Sequence, residues 1–152
     1  MQDPAEESPV DEAVLGLEAQ MAELWRRGRA RTRALARQVH PQLDPATYPV
    51  LALLVRDGAL RMSALGAGLE LDKSTVSRQV DAAVRLGLVE RVPDPTDARA
   101  RLVDLTPEGR ARMSSLHVQQ IARWRASLGT WETADLEQLT TLLRRLGDTG
   151  LA

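Results

Sequence analysis

The chain has 152 residues, a formal net charge of −1, 43% apolar and 27% charged side chains, and no cysteine. This length fits one domain of ordinary globular composition, and the lack of cysteine excludes disulfides, thiolate metal ligands and cysteine-based redox sensing. The longest apolar run, residues 50–55, is too short to cross a bilayer, and the acidic start of the chain does not resemble a secretory signal. We therefore expect a cytoplasmic protein.

The charges are unevenly distributed along the chain. The first 23 residues hold seven acidic side chains and no Lys or Arg, so the remainder is net basic. A basic body suits a polyanionic partner. Residues 1–9, with two prolines and three acids, are predicted to form a flexible tail that precedes a single domain at 10–152.

The first element is predicted to be a long helix at about 10–40, because apolar residues recur at threes and fours until Pro41 ends it. Arginines crowd its second half, and both a solvent-exposed face and a phosphate-binding face are open for them: Arg26, Arg27, Arg29, Arg31, Arg33 and Arg37. Asp44 is predicted to cap a second helix, with Pro45 in its first turn and an end at Asp57-Gly58. The expected buried side of this helix is Tyr48, Leu51, Ala52, Leu54 and Val55.

Two shorter helices joined by a tight turn are predicted next. Residues 60–62 are expected to be extended, and Ser63 to cap a helix that reaches about Leu69, with Leu65 and Leu69 facing inward. A tight connection at 70–71 leads to a second helix, for which Asp72 is a good N-cap residue. Two helices in this arrangement make a helix-turn-helix.

The helix after Asp72 has an apolar face that contains Val76, Val80, Ala83 and Val84. At about 100° per residue, Arg78 lies almost opposite that face, beside Ser74, with Thr75 and Ser77 on the flanks. Small, hydroxylated and cationic side chains can enter a DNA major groove and bond base edges and phosphates. A capped helix with a polar outer face is also common in any globular protein, so this helix alone leaves both interpretations open.

The second half of the chain is predicted to contain a β-hairpin and two helices. Residues 88–92 and 101–105 have the composition of strands, and the turn-rich segment 93–100 between them predicts a long, charged hairpin tip. Thr106-Pro107-Glu108 is a typical helix start, and this helix is expected to reach Gly129. A last helix is expected to begin near Glu132 or Thr133 and to end at Gly147, with one apolar face made of Leu136, Leu139, Leu142, Leu143 and Leu146.

A helix-turn-helix followed directly by a charged hairpin is a winged helix, and residues 62–110 resemble the MarR family of bacterial transcription regulators. Four segments carry the resemblance in the order and at the spacing of the family. They are 71–78 (Leu-Asp-Lys-Ser-Thr-Val-Ser-Arg), 87–91 (Gly-Leu-Val-Glu-Arg), 93–99 (Pro-Asp-Pro-Thr-Asp-Ala-Arg) and 105–109 (Leu-Thr-Pro-Glu-Gly). In the family these are the recognition helix, the first wing strand, the wing tip and the start of the dimerisation helix.

The resemblance covers about the whole chain and implies a mostly α fold with a small β-hairpin wing (α+β). The winged helix would occupy about 45–105, and the dimerisation helices about 10–40 and 106–148. It also implies a homodimer on double-stranded DNA, commonly a repressor, that reads a pseudo-palindrome with half-sites roughly 10 bp apart. We expect no cofactor, no metal and no enzyme activity, because the chain has two distant histidines and no phosphate-binding glycine loop.

By position in the family, the expected DNA contacts lie on the recognition helix and on the wing. On the wing, Arg99 falls on the arginine that enters the flanking minor groove, where a cation suits the negative potential. Asp97 would orient the wing by pairing with a nearby arginine. On the helix, the expected contacts are Lys73, Ser74, Thr75, Ser77 and Arg78.

Many members of the family release DNA when a small aromatic or phenolic molecule binds between the dimerisation and DNA-binding parts. Core packing or a surface position is the alternative for each of the residues that could line such a pocket, which are Trp25, Arg29, Tyr48, His117 and Trp124. The alternative function is a winged helix that binds only protein, which would favour an apolar or acidic outer face on the recognition helix.

Overall fold

The structure, a computed structural model, describes residues 8–149 and confirms the mostly helical fold with a hairpin wing. The helices are α1 (Pro9–Val39), α2 (Tyr48–Asp57), α3 (Met62–Leu69), α4 (Lys73–Arg85), α5 (Pro107–Leu128) and α6 (Thr133–Asp148). The strands are β1 (Leu60–Arg61), β2 (Val89–Asp94) and β3 (Asp97–Leu105), which form one antiparallel sheet in the order β1-β3-β2. The chain divides into two compact units, one ending at Leu116 and the other beginning at His117.

One apolar cluster forms the core of the first unit. It is built from the last turns of α1, most of α2, one face each of α3 and α4, the hairpin strands and the start of α5. On α4 the inward residues are Val76, Val80 and Ala83, which are at most 1% exposed. Burying a valine or leucine side chain stabilises a fold by about 1.5–3 kcal/mol, so these contacts determine which side of α4 faces outward.

Helix α1 begins at Pro9, one residue before the predicted start. The Ser8 side chain caps it by accepting a hydrogen bond of 3.3 Å from the Val10 amide. Two residues of the predicted tail therefore belong to the helix start, and residues 1–7 lie outside the described residues. The helix ends as predicted before Pro41, where His40 is extended.

The buried face of α2 differs from the prediction. Asp44 caps a 3-10 turn at Pro45–Thr47, accepting from the Ala46 amide at 2.8 Å, and the α-helix begins only after that turn. Val55, which was predicted to be buried, is 44% exposed, whereas Val50 and Leu53 are buried. The tighter winding of the 3-10 turn changes the phase of the helix that follows it, which a single helical period cannot anticipate.

The predicted cap of α3 is wrong. Arg61, not Ser63, is the N-cap residue, and α3 has no side-chain cap. Arg61 is held extended because it pairs with Leu102 of β3, so the helix starts directly after the strand and Ser63 lies within its first turn.

The hairpin tip is shorter than predicted. Only Pro95 and Thr96 separate the strands, and β3 already begins at Asp97. A register irregularity at Pro93/Asp94 allows Asp94 to oppose Asp97. Because β2 is an edge strand of the sheet, Pro93 is tolerated within it.

The second unit contains the end of α5 and all of α6, which extends one residue past the predicted end at Gly147. No described residue of this unit is fully buried. Leu139, Leu142 and Leu143, on the predicted apolar face of α6, are 41–51% exposed. In the described part of the chain, no helix has the length and apolar character that a membrane span requires.

Close backbone packing fixes the start of α5. The Thr106 amide donates to the Leu88 carbonyl at 3.1 Å, and the Thr106 hydroxyl donates to the Gly87 carbonyl at 2.6 Å. A Cβ placed on Gly109 would lie 2.0 Å from the Leu88 oxygen. Only glycine therefore permits this contact between the first turn of α5 and the end of the α4–β2 turn.

We predict that Gly109→Ala destabilises the fold by roughly 1–3 kcal/mol, because the added methyl group must displace backbone rather than a flexible side chain. Chemical denaturation followed by circular dichroism measures the effect. Gly147→Ala is the control, since a Cβ there meets no described atom within 4 Å. Equal stability of the two variants would contradict the packing argument.

Candidate nucleic-acid interface

The Asp72 carboxylate organises the first turn of α4. Its Oδ1 accepts from the Ser74 and Thr75 amides at 2.9 and 3.0 Å, as predicted for an N-cap. The Ser74 and Thr75 hydroxyls also donate to it, at 2.5 and 2.6 Å. These bonds hold the pKa of Asp72 well below its ordinary value, and the Ser74 hydroxyl makes the largest contribution, followed by the Thr75 hydroxyl. The carboxylate therefore stays charged at the positive end of the helix dipole.

This cap decides what the two hydroxyls can offer to a partner. Each hydroxyl carries one proton, and both protons are donated to Asp72. The Thr75 oxygen additionally accepts from the Arg78 guanidinium at 3.2 Å. Ser74, which is exposed, thus presents its free lone pairs as acceptors, while the remaining N–H groups of Arg78 are donors.

The structure places the five recognition-helix candidates as follows. Lys73, Ser74 and Arg78 are exposed, whereas Thr75 and Ser77 are half-buried on the flanks. The far end of this helix is attached to the hairpin, since Arg91 on β2 donates to Asp81 at 2.5 Å and thereby lowers the pKa of that carboxyl. The outer face of α4 is therefore polar and cationic at its first two turns, and it is held in a fixed orientation relative to the hairpin.

The hairpin turn is organised by Asp94, a residue that the sequence did not single out. Its Oδ1 accepts from the Thr96 amide and hydroxyl at 2.8 and 2.7 Å, which closes the turn. Its Oδ2 accepts from Nε and Nη2 of Arg61 at 2.8 and 2.6 Å. The Thr96 bonds, with a smaller effect of Arg61, lower the pKa of Asp94 to about 2.

Asp97 and Arg99, the two predicted wing residues, are both exposed. Asp97 accepts from the Arg99 amide at 3.0 Å and lies 3.8 Å from Arg61. The arginine expected near Asp97 is thus Arg61, but Asp94 makes the closer contact with it. Asp97 instead shapes the backbone at Arg99.

Sequence reasoning missed Asp94 and Arg61 for different reasons. An aspartate two residues before a threonine, with a proline between, is a local turn signal that could have identified Asp94. Arg61 lies 33 residues earlier in the chain, and no local pattern connects it to the wing. Only the pairing of β1 with β3 brings it to the turn.

The candidate ligand-pocket residues are separated in the structure. Trp25 and Arg29 line one groove of about 650 Å³ between α1 and the 3-10 turn, with Thr32 and Arg33. Tyr48 is half-buried and packs against the core of the first unit. His117 and Trp124 belong to the second unit and are exposed.

Within residues 8–149, no cluster of three or more His, Asp or Glu side chains is close enough to hold a metal ion. The Nδ1 atom of His40 accepts from the Gln42 amide at 3.1 Å. This histidine thus serves the turn after α1.

Comparison with known proteins finds relatives that are described as transcriptional regulators. The model of the MarR family matches residues 42–100, which include α2 to α4, β1, β2 and the start of β3. The chain is 31% identical over 104 residues to YxaD of Bacillus subtilis, described as an uncharacterized HTH-type transcriptional regulator. That match covers 68% of this chain and 73% of the relative.

A second relative matches almost the whole chain. It is the HTH-type transcriptional repressor NicR of Pseudomonas putida, with 26% identity over 145 residues, 93% of this chain and 90% of the relative. Among solved structures, a crystal structure of a MarR family transcription regulator superposes with a TM-score of 0.75. It has 22% identity and covers 92% of this chain and 91% of that one. At this identity the structural match shows the shared fold.

We predict that Asp94→Asn lowers the melting temperature at pH 7 by about 2–4 °C, because the neutral amide holds Arg61 and Thr96 less strongly. Asp94 has a native pKa of about 2, below that of an unfolded aspartate. Its charge therefore stabilises the fold above about pH 4, and this contribution is lost as the pH falls towards 2.

The difference in melting temperature between wild type and Asp94→Asn should accordingly shrink between about pH 4 and pH 2. Glu90→Gln on β2 is the control, an exposed carboxyl for which the described residues show no hydrogen bond. A difference that stays constant over this pH range would show that the charge of Asp94 is not what holds the turn.

Proposed function

Because this chain belongs to the MarR family of transcriptional regulators, we propose that it binds double-stranded DNA sequence-specifically, as a homodimer on a pseudo-palindromic operator. We further propose that it is a cytoplasmic repressor without enzyme activity. The relative NicR is itself described as a repressor.

The observation that carries this proposal is the exposed face of α4. The Asp72 cap fixes Ser74 as an acceptor, and Arg78 lies opposite the buried valines as a donor. In a major groove, arginine bonds the O6 and N7 atoms of guanine, and a serine acceptor suits the amino group of cytosine or adenine. Wing residue Arg99 is exposed, as a contact with the flanking minor groove requires.

The dimer is supported by apolar side chains that the described chain leaves uncovered. On α1, Val14, Leu17 and Leu24 are 48–57% exposed, and on α6, Leu142 and Leu143 are 48% and 51% exposed. Contiguous apolar faces of this kind mark association surfaces, since water contact with them is unfavourable. A second copy of the chain, as is typical for the family, would cover them.

The effector proposal rests on the groove that contains Trp25 and Arg29. Its volume of about 650 Å³ falls in the range of small-molecule sites. The Trp25 indole offers an aromatic surface, while Arg29 and Arg33 offer positive charge. A small aromatic or phenolic anion would satisfy both, and titration of Trp25 fluorescence with benzoate, with Trp25→Leu as reference, measures its binding.

A winged helix that binds only protein is the alternative function. The cationic, hydroxylated face of α4 favours DNA over an apolar or acidic protein surface. The two functions differ in salt dependence, because DNA binding releases condensed counterions and weakens steeply as salt increases.

Selection of binding sites from random duplexes at near-physiological salt tests the proposed function directly. An enriched pseudo-palindrome, with half-sites roughly 10 bp apart, is the expected result. A folded dimer that enriches no sequence, even after dialysis to remove any bound small molecule, would instead favour the protein-binding alternative.

We predict that Arg78→Ala weakens binding to the selected operator by about 1–3 kcal/mol and broadens the selected sequence at one base position of each half-site, because a bidentate base contact is lost. Fluorescence anisotropy and repeated site selection measure the two effects. Arg123→Ala, an exposed arginine of the second unit, is the matched control for charge. An unchanged sequence preference would remove Arg78 from base reading.

We predict that Leu142→Glu converts the dimer to a folded monomer, because a charge on the apolar face of α6 opposes its burial. Sedimentation equilibrium gives the mass, and circular dichroism gives the helix content. Thr141→Glu places the same charge on an exposed neighbouring position and should leave the dimer intact. A dimer of unchanged affinity in Leu142→Glu would exclude α6 from the interface.

A further inference from the structure

A second groove lies beside the recognition helix, and of its lining residues only Lys73 has been named above as an expected DNA contact. It has a volume of about 510 Å³ and is lined by α3, the first residue of α4 and strand β3. Its polar walls are Arg61, Ser63, Lys73 and Arg101, and Gly66 and Leu71 are among its other lining residues. We call it the α3–β3 groove.

Strand alternation explains why Arg101 lies at this groove. Leu105 and Val103 point into the core and are 3% and 1% exposed. Arg101 continues the same side of β3 with the period of two residues, whereas residues 98–100 fall in the register irregularity between the pairs Pro93–Arg101 and Asp94–Asp97. Arg101 lies beyond the region that the core covers, and it is exposed and lines the groove.

Two of the groove's cations are available for a partner. Among the described residues, no hydrogen bond or ion pair engages Lys73 or Arg101. Two acids in this part of the chain are bonded to other groups, since Asp72 accepts from the first turn of α4 and Asp94 binds Arg61 and Thr96. The groove thus combines uncommitted positive charge with the exposed hydroxyl of Ser63.

The first turn of α3 adds to this electrostatic character. Helix α3 has no side-chain cap, and its N-cap residue Arg61 directs its guanidinium to the wing. Amides at the start of a helix carry partial positive charge and favour an anion nearby. The cations from α4 and β3 act on the same groove.

We propose that the α3–β3 groove binds a single backbone phosphate of the DNA, held jointly by Lys73 and Arg101. The inference rests on the proposed function and extends it, because Arg101 and the groove add a contact beyond the recognition face and the wing tip. We choose DNA as the partner because the groove adjoins the proposed DNA contacts. Lys73 is the residue directly before Ser74 on α4, and Arg101 is two residues from Arg99 on β3. A backbone that passes between recognition helix and wing meets this groove.

A phosphate contact positions the protein without reading sequence. Each phosphate neutralised adds about 0.9 to the slope of log affinity against log salt concentration. Because two cations share one phosphate here, removing either leaves part of the neutralisation, and removing both eliminates it. Each substitution alone should therefore reduce the slope by less than about 0.9, and the two together by about 0.9.

The experiment compares Lys73→Gln, Arg101→Gln and the double variant with wild type, on the selected operator and on a shuffled duplex of the same length. Glutamine keeps much of the aliphatic stem, and both residues are exposed, so folding should be unaffected, as melting curves will verify. Arg110→Gln is the charge-matched control, since Arg110 is exposed and already paired with Asp104 at 2.8 Å. Anisotropy titrations from 50 to 200 mM salt (roughly the range in which such slopes are measured) give the slopes.

We expect the slope of the double variant to be shallower by about 0.9, equally on both duplexes, with the single variants in between and an unchanged selected sequence. Wild-type affinity and slope in the double variant would overturn the proposal. A loss of about 0.9 from each single variant, adding to about 1.8, would overturn the shared clamp in favour of two separate phosphates. Failure of the wild-type chain to bind any duplex would be seen first and would overturn the proposed function together with this inference.

Discussion

The proposed DNA-reading face, which is the outer side of α4, depends on the carboxylate of Asp72. It stops the chain from continuing the turn after α3 and starts α4 at Lys73, because it satisfies amides that a helix start leaves unpaired. Once that start is fixed, the helical period sends Val76, Val80 and Ala83 into the core and Arg78 outward. The same carboxylate takes the hydroxyl protons of Ser74 and Thr75, so one group sets both the geometry of the helix and the donor and acceptor pattern that it offers.

The wing is held by a related device. Asp94 closes the two-residue turn through Thr96 and also binds Arg61, which is the end of β1 and the residue from which α3 starts. The turn that carries Arg99 is therefore attached to the helix-turn-helix and not only to its own hairpin. Arg91, bonded to Asp81, makes a second connection between hairpin and α4. With these links, the proposed base-reading helix, the proposed minor-groove arginine and the proposed phosphate groove keep a constant arrangement, as a protein that reads a fixed DNA spacing requires.

The cationic side chains of the described residues fall into two groups, those in ion pairs within the chain and those without such a pair. Several arginines are engaged in ion pairs inside the chain, for example Arg61 with Asp94 and Arg110 with Asp104. An exposed pair such as Arg110 with Asp104 adds little stability, whereas the Asp94 carboxylate is buried. Both pairs orient the groups involved. Lys73 and Arg101 have no such bond among the described residues, which is why they and not their paired neighbours are the groups proposed to meet phosphate. The abundance of arginine alone would not have separated the two sets.

Local patterns in the sequence determined the order and type of the helices, the Asp72 cap, the hairpin, the Thr106-Pro107 start of α5 and the outward position of Arg78, because each depends on residues within one or two turns of one another. Tertiary structure decided what lies between distant segments. It buried Val50 and Leu53 in place of Val55 after the 3-10 turn, shortened the wing tip by pairing Asp94 with Asp97, and started α3 without a cap because β1 pairs with β3. It also joined Asp94 to Arg61 and brought Arg101 to the groove beside Lys73. The physical reason is that periodicity and capping act along the chain over a few residues, whereas strand pairing and helix phase are set by contacts across tens of residues that no local pattern records.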